Sequence, residues 1–216
     1  MITTNILQRV FRALHNNKTG SAYTVEKDEQ QYLISASHVF EGALEVNSLK
    51  IFHGGAWKAI GVEVVHNCLH ADTIVFRLPF DLSPRLPVQY GTKGVIYGTW
   101  GYFLGFPLSV AAPGCLVNRN FPLPLIKAGL ISGMNSEIPP ISITYLDGHA
   151  NRGFSGGPAV WIDPSRTKDP QIIGTVTGFV TECPVHLDTE DDVRDYGTNA
   201  GIVEAHWIED LFDRIK

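Results

Sequence analysis

Arg152-Gly153-Phe154-Ser155-Gly156-Gly157-Pro158 sets one serine among residues too small to block an approaching substrate. The glycines allow a tight backbone that can aim two N–H groups at one point, and the proline stops the segment from continuing as a helix. A serine hydroxyl attacks a carbonyl poorly unless a histidine takes its proton and a carboxylate holds that imidazole in the right tautomer. Both partners stand upstream. His38 lies in Ser35-Ala36-Ser37-His38-Val39 after an apolar run, and Asp72 lies in Ala71-Asp72-Thr73-Ile74-Val75 before another. The order is His, Asp, Ser, with gaps of 34 and 83 residues. The chemistry these types could do together is acyl transfer.

The run also satisfies Gly-x-Ser-x-Gly, the nucleophile elbow of α/β hydrolases. That elbow needs a buried strand before the serine and a helix after it. Here Tyr145 to Arg152 is polar and turn-like, while Pro158-Ala159-Val160-Trp161-Ile162 reads as a strand, so the elbow is rejected. His66, Cys68 and His70 would share one face of an extended segment and are suitable zinc ligands, but no fourth ligand appears at useful spacing. No metal and no cofactor is expected.

The elements that must position these residues are mostly strands. Short β-type runs occupy 21–25, 31–36, 50–52, 59–65, 73–78, 94–97, 142–145, 159–162 and 172–180, with polar tips at 26–29 and 163–170. Helical spacing of Ile6, Leu7, Val10, Phe11 and Leu14 predicts a helix over 4–14, and a second helix is expected over 205–216. The pattern is all-β, a sandwich or barrel, and not alternating βαβ. Residues 79–93, rich in proline and without a clear period, read as a connection between two halves.

The chain has 216 residues, 44% hydrophobic and 18% charged, with 21 glycines and 13 prolines, enough for a substantial core and many turns. A net charge of −5 without a basic stripe argues against nucleic acid or an anionic membrane as the main partner. Three cysteines, Cys68, Cys115 and Cys183, lack paired spacing, and residues 1–6 show no basic segment leading into an apolar one. A cytoplasmic location is expected.

At the residues quoted above the sequence resembles the trypsin-like (chymotrypsin-fold) serine peptidases, closest to the bacterial HtrA-like branch without a PDZ domain. The resemblance extends to Val62–Leu78, to Gly105-Phe106-Pro107 and to Ile172–Gly178, and covers roughly residues 18 to 216. It implies a double six-stranded β-barrel: an N-terminal helix (1–17), a first barrel (18–85) carrying His38 and Asp72, a second barrel (86–204) carrying Ser155, and a C-terminal helix (205–216). It implies His38 as general base, Asp72 as its orienting carboxylate, Ser155 as nucleophile, and the N–H groups of Gly153 and Ser155 as oxyanion hole. A peptide or protein would be the substrate. His149 would lie at the base of the specificity pocket, with Thr177, Gly178 and Phe179 on one wall and Asn199, Ala200 and Gly201 on another.

Two departures stand out. Ser37 replaces the usual alanine before the histidine. Phe154 replaces an aspartate that pairs with a newly cut N-terminus in trypsin-type enzymes, so activation by such a cut is not expected. The acidic run Asp188, Glu190, Asp191, Asp192 and Asp195 reads as a solvated loop that could steer a basic substrate. A non-catalytic peptide- or partner-binding module, and a latent peptidase awaiting an activating partner, are the alternatives.

Overall fold

The structure, a computed structural model, describes residues 1–42, 45–114, 118–136, 142–165, 169–182, 198–212 and 215, with the side chains of 182 and 198–200 excepted. Two antiparallel sheets carry the fold. The first is built from β1 (Val10–His15), β2 (Lys18–Lys27), β3 (Gln30–Ala36), β4 (Ser48–His53), β5 (Ala56–Gly61), β6 (Glu63–Cys68) and β7 (Thr73–Arg77), in the order β5-β4-β1-β2-β3-β7-β6. The second contains β8 (Gln89–Tyr90), β9 (Trp100–Gly105), β10 (Leu125–Asn135), β11 (Ile143–Asp147), β12 (Pro158–Ile162), β13 (Pro170–Glu182) and β14 (Thr198–Trp207). Its order is β12-β9-β10-β11-β14-β13, and β12 pairs again with β13, which closes a six-stranded barrel; β8 adds to β13 in parallel.

The expectation of two closed barrels holds for the second half only. In the first sheet the end strands β5 and β6 pair with β4 and β7 but not with each other among the described residues, so the sheet stays open. The side-chain pattern of β5 explains an open edge: all six of its residues are exposed or half-buried, so nothing apolar draws a further strand over it.

Strand alternation feeds three apolar clusters. In β3, Tyr32 and Ile34 point into the seam between the halves, whereas Leu33 points into the first half's own core. In β7, Val75 joins the seam and Ile74 and Phe76 the first core. In β13, Ile172 joins the seam and Ile173 the barrel core with Phe154, Val176, Val203 and Ala205. The seam is thus a true apolar core, and it fixes the two halves as one body.

Both helices are shorter than expected. Helix α1 spans only Thr4–Leu7, and Val10–His15 is a strand paired with β2 and β4. The residues at helical spacing also fit alternation: Val10 enters the seam while Phe11 and Ala13 enter the first core. Pairing on both edges outweighs local periodicity. Likewise Ala205, His206 and Trp207 finish β14, and helix α2 is Glu209–Phe212. The strand expected at 94–97 is a turn: Gly94 has φ +87°, Val95 N–H bonds Thr92 O, and Ile96 and Tyr97 are exposed. The run 59–65 divides between β5 and β6.

Candidate active site

His38 lies in a one-turn 3₁₀ helix, Ser37–Phe40, directly after β3. Asp72 lies directly before β7, the neighbour of β3, so strand pairing Ala36↔Thr73 brings the two residues side by side. Asp72 then grips the turn three times. Its carbonyl accepts Ser37 N–H at 2.9 Å, Oδ1 accepts His38 N–H at 2.8 Å, and Oδ2 lies 2.5 Å from His38 Nδ1. This requires Asp72 at φ +47°, a left-handed conformation that aspartate tolerates better than most residues. With its proton on Nδ1 facing the carboxylate, the imidazole keeps Nε2 as a bare acceptor. Ser37, the departure from alanine, is buried, and its hydroxyl donates to Asn67 Oδ1 at 2.8 Å, tying the turn to β6.

Ser155 arrives from the second half on the loop between β11 and β12. Phe154 anchors that loop: it is fully buried in the barrel core with its ring 5.0 Å from Phe103. Where an ion pair would require charge, this chain uses apolar burial. Lys127 of β10 straps the same loop from outside, donating to His149 O at 2.6 Å and Asn151 Oδ1 at 2.8 Å, with its ammonium 5.6 Å from the Phe154 ring centroid. The first half holds it from the other side. Ser21 N–H donates to Ser155 O at 2.8 Å and Ser21 Oγ to Gly153 O at 2.7 Å, while Phe106 N–H donates to Ser21 Oγ at 3.0 Å.

Glycine is required at two places here. Gly153 has φ +105° and faces the Phe106 carbonyl; Gly156 has φ +84° and a Cβ there would collide with Ser21 O and Ser35 Oγ. Phe154 N–H donates to Asn151 O and Gly156 N–H to Val176 O. Among the described residues, Gly153 N–H and Ser155 N–H, which alternate with these, donate to no protein acceptor. Two free donors therefore flank the serine.

His38 and Ser155 line one cavity of about 510 Å³, together with Lys18, Thr19, Val39, Arg152, Gly153, Thr177, Gly178, Phe179 and Thr181. A second cavity, of about 370 Å³, has His38 and Asp72 in its lining. His38 thus lines both cavities, one with Ser155 and one with Asp72, and no hydrogen bond joins Ser155 Oγ to His38 among the described residues. A cavity of about 530 Å³ lined by Tyr90, Lys93, Trp161, Asp163, Asp169 and Gln171, among others, has none of the expected site residues among its described lining.

Of the expected pocket residues, Thr177, Gly178 and Phe179 do line the serine's cavity. His149 does not; it is exposed, its ring 3.5 Å from Asn151 Nδ2. Gly201 O accepts Gly148 N–H at 2.6 Å; of Asn199 and Ala200 only the backbone is described, in β14. The acidic run and Cys115 and Cys183 lie outside the described residues. Cys68 is buried and free. Among the described residues no group of three or more His, Cys, Asp or Glu could hold a metal ion, and no helix is long and apolar enough to cross a membrane.

The sequence reading missed Lys127 and Ser21, whose partners lie 22 to 132 residues away. It missed His206 too. That ring is buried, its Nδ1 is 2.7 Å from Thr177 Oγ1, and burial pushes its pKa down, opposed by the charges of Asp72 and Asp210.

No protein-family model and no curated protein matches the chain. Solved structures do. An inactive form of the Rv3671c protein of M. tuberculosis H37Rv, a Ser-to-Ala mutant, aligns over 97% of this chain and 85% of its own, at 16% identity and TM-score 0.59. The HtrA-type protease AlgW with a tripeptide aligns over 97% of this chain at 17% identity and TM-score 0.64. The chain has the fold of these proteases. At 16–17% identity the likeness is one of fold, and the chain spans 60% of the AlgW chain.

Proposed function

We propose that the chain is a serine endopeptidase that cleaves peptide bonds through an acyl-enzyme. One observation carries the reading: a histidine bonded to a carboxylate through Nδ1 shares a cavity with a serine flanked by two free backbone donors. His38 Nε2 takes the Ser155 proton as Oγ attacks the carbonyl carbon, and Asp72 stabilises the resulting imidazolium. The N–H groups of Gly153 and Ser155 receive the oxyanion. His38 then returns the proton to the leaving amine, and water repeats the sequence to release the acid. On β13, pairing with β12 ends at Thr175 and the Gly156–Gly157 contacts end at Val176. Beyond that point Thr177–Thr181 offers its edge to an extended peptide, which would add as a further strand. The free Cys68 thiol fits the reducing, cytoplasmic setting that the cysteine count suggests.

A fluorophosphonate probe tests this directly. The wild type is expected to label at Ser155, and Ser155→Ala and His38→Ala are expected not to, with turnover down by about 10⁶. A folded wild type that never labels, even with peptides added, would make the domain a binding module. The missing Ser155–His38 hydrogen bond favours one second reading, a peptidase whose contact tightens only when substrate or a partner binds. Labelling that rises strongly on adding peptide would identify it.

A further inference from the structure

We propose that Arg152, assisted by Lys18, forms a subsite for a carboxylate side chain in the part of the substrate that departs with the amine. The proposal rests on the peptidase reading above and adds a preference to it. The lining of the serine's cavity divides by element. Thr177, Gly178, Phe179 and Thr181 come from β13, whose edge opposite β14 is unpaired beyond Val176 among the described residues and would take the acyl portion, whereas Lys18, Thr19, Val39 and Arg152 come from elsewhere. A chain crossing Ser155 from β13 must leave past these last four.

Among the described residues the charge there is of one sign: apart from His38, the charged residues lining the cavity are Lys18 and Arg152, and neither Asp nor Glu is among them. Lys18 Nζ is 3.9 Å from Glu41 Oε1, which offsets part of its charge. Arg152 has no ion pair and no side-chain hydrogen bond among the described residues, so its five donors are free for a planar acceptor. Its main chain is fixed: Leu108 N–H bonds Arg152 O at 3.0 Å, and the next carbonyl, Gly153 O, is held by Ser21. An anchored backbone beside the reacting serine, carrying an unspent fork of donors, matches a carboxylate better than it matches any cation. Both side chains are exposed, so each contact is weak, and together they give about a tenfold preference. The acidic run at 188–195 would suggest the opposite preference, for basic substrates, and the two are separable.

Cleavage sites mapped in a proteome-derived peptide library decide it, with fluorophosphonate labelling of the same sample. Asp and Glu are expected to be enriched about tenfold within the first few positions after the cut, less so at high salt. The Lys18→Glu/Arg152→Glu double variant should invert the preference toward Lys and Arg, and Arg152→Gln alone should remove most of it. An enzyme that labels and cleaves but shows no acidic enrichment, or keeps it in both variants, overturns the subsite and leaves the peptidase reading standing. A protein that neither labels nor cleaves overturns both.

Discussion

The two halves position their candidate residues by different means. His38 and Asp72 sit at the ends of neighbouring strands in one open sheet, and three bonds from Asp72 fix their relation without help from the second half. Ser155 rides on a loop of the closed barrel that is held by the barrel core through Phe154, by Lys127, and by Ser21 from the opposite sheet. The candidate base and acid are therefore a local construction, whereas the place of the candidate nucleophile is a property of the whole molecule. In an enzyme of this geometry, damage far along the chain should reach the serine sooner than it reaches the histidine.

Asp72→Asn breaks the local half. It should lower turnover by about 10⁴ through the wrong imidazole tautomer while the serine loop stays intact, read as kcat with Tm measured alongside. Lys127→Met loosens the other half only. Because a misplacement of about 1 Å can cost about 10²-fold, kcat should fall by about 10- to 100-fold with KM little changed, and Lys127→Arg should restore part of it. An unchanged kcat in Lys127→Met would show that Phe154 alone holds the loop.

Ser21→Ala attacks the joint between the halves. It leaves the buried Phe106 N–H and the half-buried Gly153 O without their partner, which should cost about 1–3 kcal/mol in denaturant unfolding. Smallest is the effect of His206. Its pKa is lowered in the folded state by burial, so the unfolded chain binds the extra proton first, and stability falls as pH drops below the ordinary histidine value of 6.5. His206→Gln should flatten that part of the Tm–pH curve; a curve of unchanged slope would place the acid sensitivity elsewhere.

The resemblance in sequence and the fold agree because the motif residues are contiguous: Gly153-Phe154-Ser155-Gly156-Gly157 must turn sharply wherever it is placed. Strands with clear alternation, such as Ser48–His53, were also legible. β9 and β10 were not, since Gly101, Gly129 and Gly133 interrupt the apolar signal, and those glycines are explained only by what packs over them, Leu146 and Ile131 above Gly101 for one. The N-terminal segment misled for a complementary reason: Val10, Phe11 and Leu14 continue the helical spacing of Ile6, and only the edges of β2 and β4 make a strand the better choice from Val10 on.

By itself the sequence determined the inventory of candidates: a serine, a histidine, a carboxylate and the glycines that let the serine turn, because those depend on residue type and short spacing. Tertiary structure alone decided that Phe154 anchors the loop, that Lys127 and Ser21 brace it, that His149 stays outside the cavity, and that the first sheet remains open. Each of these is a contact between residues far apart along the chain, and contacts of that kind are set by which surfaces the folded halves bury against each other.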